Sequence, residues 1–92
     1  MKVILKPTFQ RDSDKIKNQE LLHVLRERLI QLNKATHFSE VDGLKKMRSY
    51  VRAYRITVKT SKHSYRIGAI IRGDTIWLVR FLPRKIIYKK FP

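Results

Sequence analysis

The sequence predicts an α+β fold, in which a small antiparallel meander is backed by a helical pair. Three observations carry this expectation. Leucines recur at helical spacing in the first third of the chain. Beyond Tyr50 the apolar residues change to a strand-like period of two. The strand-like segments are then separated by short polar or glycine-containing gaps. At 92 residues there is room for one modest core, so the chain is read as one domain over residues 1–92.

In chain order, Lys2–Lys6 alternates around Val3 and Leu5 and reads as a short strand that Pro7 ends. Phe9 is expected to pack over the following turn. Asp12-Ser13-Asp14 offers caps for a short helix near Lys15–Lys17. Asn18 is positioned to cap a second helix reaching to about Lys34. Its apolar stripe is Leu21, Leu22, Leu25, Leu29 and Leu32, and Arg26, Glu27 and Gln31 fill the other side. Residues 35–49 read mainly as connection, with Leu44 and Met47 anchoring it. Three strands follow at about 51–59, 64–71 and 75–82. Ser61-Lys62-His63 separates the first two, and Gly73-Asp74 joins the last two as a tight hairpin.

Charge narrows the function. Lys and Arg number 22 against 7 acidic residues, a net charge of +15. Residues 1–42 hold 8 basic and 6 acidic residues, whereas residues 43–92 hold 14 basic residues and only Asp74. Such a field attracts polyanions, above all nucleic acid, or an acidic protein partner. The absence of cysteine excludes disulfide and thiolate chemistry. No apolar run is long enough to span a membrane, and the apolar part of MKVILKPTF is too short for a signal peptide. A cytoplasmic location is therefore expected. His23, His37 and His63 form no metal-ligand spacing, and no paired-carboxylate pattern occurs. Neither a metal nor another cofactor is expected.

Alternation assigns faces. Tyr54, Ile56 and Val58 share one side of their strand, and Arg55, Thr57 and Lys59 the other. In the next strand Tyr65, Ile67, Ala69 and Ile71 oppose Arg66, Gly68, Ile70 and Arg72. In the last, Trp77, Val79 and Phe81 oppose Ile76, Leu78, Arg80 and Leu82. With the first row of each strand on the helices, Trp77 becomes a core residue. Arg55, Arg66 and Arg80 then emerge together on the open face, a register that one residue of slip would overturn. Arginine's planar fork of donors matches phosphate geometry. A solvated half-exposed sheet face accounts for the same residues without a ligand.

The two YRI signatures at 54–56 and 65–67, followed by Arg84 and Tyr88 in RKIIY, resemble the RelE/ParE superfamily of type II toxin–antitoxin toxins. The resemblance is strongest to the RelE-like ribosome-dependent mRNA interferases, and it is most specific from about Leu44 to Phe91. It implies a small curved, mainly antiparallel sheet packed against an N-terminal helical hairpin. It also implies an endoribonuclease that needs no metal, in which the RNA 2′-hydroxyl attacks the adjacent phosphate. Its partners would be mRNA, the ribosome and a cognate antitoxin. By the resemblance, Arg66, Arg84 and Tyr88 are the catalytic candidates. Arg66 would stabilise the scissile phosphate, and Tyr88 would stack on a base or assist proton transfer. Arg55 would hold the RNA backbone, with Arg80, Lys59, Lys85, Lys89 and Lys90 as further RNA-binding candidates.

The chain departs from the family pattern at three positions. Thr57 stands where many members carry a second basic residue, Leu82 where some carry arginine, and Pro83 where many carry histidine. These departures motivate a second expectation, a family member that binds RNA or the ribosome without cleaving. A third is a ParE-like inhibitor of DNA gyrase, because a shared scaffold does not fix the target.

Overall fold

The computed structural model describes residues 1–48 and 50–92. Its elements run β1 (Lys2–Leu5), α1 (Pro7–Asp14), α2 (Gln19–Lys34), a 3-10 turn at Phe38–Glu40, β2 (Leu44–Lys46), β3 (Ala53–Lys59), β4 (Ser64–Arg72), β5 (Thr75–Pro83) and α3 (Arg84–Lys90). The strands form one sheet in the order β1-β5-β4-β3-β2. All neighbours are antiparallel except β1, which runs parallel to β5 with Lys2 opposite Thr75. The predicted α+β architecture of N-terminal helices against a mainly antiparallel sheet is thus present. Among the described residues, no helix is long and apolar enough to cross a membrane.

Pro7 ends β1 as expected, but it also begins α1, at a position whose N–H would have no helical partner. Asp12-Ser13-Asp14 therefore does not cap a helix over Lys15–Lys17. It forms the last turn of α1, and the backbone N–H groups of Lys15 and Ile16 close onto the Asp12 and Ser13 carbonyls. The expected cap of α2 is present: the Asn18 side-chain oxygen accepts from the Leu21 N–H at 2.9 Å. Leu21, Leu25 and Leu32 are fully buried beneath this helix. Burial of each stabilises the fold by roughly 1.5–3 kcal/mol before entropy is counted. Residues 44–46, read as connection, add a fifth strand along β3.

The sheet carries a core on each face. The larger lies under α1 and α2 and contains Phe9, Leu21, Leu25, Leu32, Ile56, Ile67, Leu78 and Phe81. The smaller lies under α3, where Met47, Ala53, Ile87 and Phe91 meet Ile70, Val79 and Leu82. The sheet face expected to be open is therefore partly roofed by the C-terminal helix.

Alternation predicted the faces of β3 and β4 correctly and failed in the first half of β5. Gly68 pairs with Arg80 but Ala69 pairs with Leu78, leaving Val79 as an extra residue in the ladder. Such a bulge shifts the period-two pattern by one. Ile76 and Leu78 consequently enter the core under the helices, while Val79 joins the smaller core. Trp77 is half-buried and belongs to neither core, contrary to its expected central place. Beyond the bulge, Phe81 and Leu82 lie on the predicted sides.

Candidate nucleic-acid interface

Register and helix periodicity build the site. Arg55 faces Gly68 across β3 and β4, and Arg66 stands between Thr57 on β3 and Leu82 on β5. Both neighbours are uncharged, so among the described residues Arg66 is the sole cation in its cross-strand row. Pro83 ends β5, and α3 begins at the next residue. Arg84 and Tyr88 lie one helical turn apart in α3 and share a side of it.

These four residues converge. The Arg55 guanidinium carbon lies 5.6 Å from the centre of the Tyr88 ring, within cation–π range. One Arg66 nitrogen, Nη1, donates to Ser64 Oγ at 3.1 Å and to the Tyr65 carbonyl at 3.0 Å. Its Nε–H is buried and has no partner. Burial lowers the Arg66 pKa from the ordinary arginine value; Tyr88 opposes that effect, and Arg84 and Arg55 add to it. A buried donor left unpaired is costly, and a phosphate oxygen would satisfy it.

Tyr88 is 50% exposed and forms a ridge between two concavities. On one side a groove of about 700 Å³ is lined by Ser64, Pro83, Arg84, Lys85 and Ile86. On the other a hollow of about 220 Å³ is lined by Met47, Arg48, Tyr50 and Arg55. Neither Arg48 nor Tyr50 was identified from sequence, because residues 35–49 read as connection and Tyr50 as the strand's threshold. Their only signal was an arginine two positions before an aromatic in a basic half.

The other candidates are distributed around this centre. Lys85 belongs to the groove, while Lys59 and Lys89 are exposed at the end of β3 and on α3. Arg80 does not join the other arginines as the predicted open-face set required. Its Nε and Nη2 donate to the Asp12 carboxylate at 2.7 and 3.1 Å, and Asp12 also accepts from the Phe81 N–H at 2.9 Å. Arg80 and Lys90 line a separate hollow with Asp12 and Lys15.

A further hollow of about 470 Å³ along α2 includes Glu27, Glu40 and Asp42 and shares no residue with the basic centre. Arg28 and Lys34 also line it, so three carboxylates face two cations and the hollow offers a polyanion no net attraction. Among the described residues, no three His, Cys, Asp or Glu side chains gather to hold a metal ion. The donor set around Arg66 is suited to an anion rather than to a cation.

No family model matches the chain. Toxin RelE3 of Methanocaldococcus jannaschii is 32% identical over 96 aligned positions that span the whole of both proteins. The crystal structure of the RelB–RelE antitoxin–toxin complex from Methanococcus jannaschii contains a chain that superposes with a TM-score of 0.75 at 27% identity. That match covers 97% of this chain and 99% of the other. Full-length similarity in sequence and in strand and helix arrangement shows that the chain belongs to the RelE/ParE superfamily of toxin–antitoxin toxins.

Proposed function

We propose that this toxin is a ribosome-dependent mRNA endoribonuclease of the RelE-like type, held inactive by a RelB-like antitoxin. The carrying observation is the unpartnered, buried Nε–H of Arg66 at the meeting point of Arg55, Arg84 and Tyr88. Such an arrangement suits a phosphodiester in which negative charge grows as the bond breaks.

In this reading Arg66 and Arg84 hold the non-bridging oxygens of the scissile phosphate, and Arg55 holds a neighbouring phosphate. The ribose 2′-oxygen forms a bond to phosphorus while the bond to the 5′-oxygen breaks. Tyr88 donates its phenolic proton to the departing 5′-oxygen, and the proton lost by the 2′-hydroxyl passes to solvent. The phenolate then regains a proton from solvent, so atoms and charge balance. The products are a 2′,3′-cyclic phosphate and a 5′-hydroxyl. Arginines placed before reaction stabilise developing charge without reorganising, an effect worth roughly 10²–10³ in rate for one donor. Lys59, Lys85, Lys89 and Lys90 add salt-dependent attraction to RNA. The antitoxin is expected to set acidic and apolar side chains against the α3 lysines and the exposed Ile86.

A second reading is a ribosome-binding member that does not cleave. It is favoured by one observation: Thr57 and Leu82, uncharged, flank Arg66. Programmed ribosomes separate the readings when mRNA ends are mapped with wild-type protein, Arg66→Ala and Tyr88→Phe. New ends with wild type and roughly 10²-fold slower cleavage in each variant are expected. Folded wild-type protein that binds ribosomes and leaves mRNA intact would establish the second reading. Intact mRNA together with inhibited DNA supercoiling would instead identify a gyrase inhibitor.

A further inference from the structure

The loop between β2 and β3 carries features that the proposed phosphate chemistry does not use. Tyr50 is 50% exposed and its neighbour Val51, at 81%, is the most exposed large apolar side chain among the described residues. The described residues of this loop are held by several hydrogen bonds. The Met47 N–H donates to Ala53 O at 2.8 Å, and the Tyr50 N–H to Met47 O at 3.3 Å. Lys46 Nζ reaches the Tyr50 carbonyl at 3.1 Å, and the Ile71 N–H binds the Arg52 carbonyl at 3.0 Å. Arg52 takes a positive φ of 68°, a conformation uncommon for a non-glycine residue, within this turn.

The tethered loop places Tyr50 and Arg48 in the hollow of about 220 Å³ on the Arg55 side of Tyr88. Its floor is Met47, which belongs to the core under α3. The hollow therefore combines an apolar floor, an exposed aromatic ring and two guanidinium groups. The Tyr88 ring is already faced by Arg55, which leaves Tyr50 as the stacking surface.

We infer that this hollow is a nucleobase site, in which one base of a single RNA strand stacks on Tyr50 with its edge toward Arg48 and Arg55. The inference rests on the proposed RNA-directed function and extends it. The site takes a base beside the scissile phosphate and is the part of the surface able to favour some nucleotides over others. Every base offers a π-face, so stacking supplies affinity, and the arginine donors supply preference for bases with acceptor edges. An acidic antitoxin segment with an aromatic side chain is the competing occupant. RNA is favoured because the hollow shares Arg55 and Tyr88 with the phosphate centre.

The test measures binding, so it does not depend on cleavage. A fluorescein-labelled hexaribonucleotide with 2′-O-methyl groups, which cannot be cleaved by its own 2′-oxygen, is titrated against the full chain by anisotropy. A series in which one abasic position walks along the strand is compared for wild type and Tyr50→Ala. At one position the abasic change is expected to weaken wild-type binding about tenfold and Tyr50→Ala binding hardly at all. Tyr50→Phe should retain the wild-type pattern. Equal abasic penalties in both proteins at every position, or undiminished RNA affinity of Tyr50→Ala with weakened antitoxin binding, would overturn the inference. Tyr50-dependent base binding by a protein that leaves mRNA on ribosomes intact would remove the proposed cleavage and keep the base site.

Discussion

The Phe91 ring occupies the space that a side chain at position 68 would need. A Cβ built on Gly68 falls 2.6 Å from two Phe91 ring carbons, well inside van der Waals contact. Gly68 lies inside a strand, where glycine accompanies either a bulge or the close approach of another group. It lies beside the β5 bulge, and what approaches it closely is the chain's own C-terminus. Gly68→Ala is therefore expected to displace Phe91 and loosen α3. Overpacking of this kind costs about 1–3 kcal/mol. Because α3 carries Arg84 and Tyr88, cleavage should fall further than stability predicts at temperatures where the variant is still folded. Comparing chemical denaturation with cleavage rate checks this, and full activity with an intact transition midpoint would refute it.

The Asp12–Arg80 pair is expected to act as a clasp between α1 and β5. Asp12 is 7% exposed and accepts from both Arg80 and the Phe81 backbone. An exposed ion pair is worth about 0–1 kcal/mol. This one is bidentate and largely desolvated, so a double-mutant cycle of Asp12→Ala and Arg80→Ala should give a coupling above about 1 kcal/mol. Asp12→Asn should be milder than Asp12→Ala, because it can still accept from the Phe81 N–H. A coupling within error of zero in urea unfolding would show the pair to be incidental.

What sequence revealed and what it hid divide along a physical line. The α2 cap and stripe, the Gly73-Asp74 turn and the faces of β3 and β4 depend on neighbours close in sequence or on uninterrupted alternation. Gly73 indeed takes a positive φ of 57° in its turn. The bulge at Val79 is different: nothing in the order Trp77-Leu78-Val79-Arg80 marks which residue is supernumerary, and the error moved Trp77. Arg80 keeps its place in the ladder opposite Gly68, and it is the distant Asp12 carboxylate that draws its guanidinium away from Arg55 and Arg66. Asp12 was misread because Pro7, which ends β1 as expected, also starts α1, so Asp12 falls in the last turn of a helix rather than before one. The three residues of β2 are too few for a period. In the site, the resemblance named Arg55, Arg66, Arg84 and Tyr88, and the fold brings them together. Tyr50 and Arg48 lie in a loop whose shape no local pattern encodes.

Glu40 gives a pH-dependent test of the turn after α2. Its carboxylate accepts from the Thr36 N–H at 2.8 Å and from the Thr36 hydroxyl at 3.0 Å. The Thr36 backbone bond chiefly, then its hydroxyl, hold the Glu40 pKa below the ordinary carboxylate value. A depressed folded-state pKa stabilises above the unfolded value and loses that contribution as pH falls through the folded one. Glu40→Gln should thus lower the melting temperature slightly at neutral pH, with the difference from wild type closing as acid protonates Glu40. A difference that stays constant down through the carboxylate range would contradict the assignment.

Arg66 should trade stability for function. Its pKa is lowered mainly by burial, so folding disfavours its charge, and at neutral pH that charge is a liability until an anion arrives. Arg66→Met keeps the aliphatic stem and removes both the charge and the unpartnered Nε–H. It releases the exposed Ser64 hydroxyl, where water can replace the lost donor, and the part-buried Tyr65 carbonyl, whose loss offsets part of the gain. The variant is expected to melt no lower than wild type. It should also be stabilised less by added inorganic phosphate, which raises the wild-type melting temperature by binding the folded state. Cleavage on ribosomes should fall about 10²–10³-fold in the same protein. A melting temperature below wild type together with an undiminished response to phosphate would show that Arg66 is a structural residue and that the anion binds elsewhere.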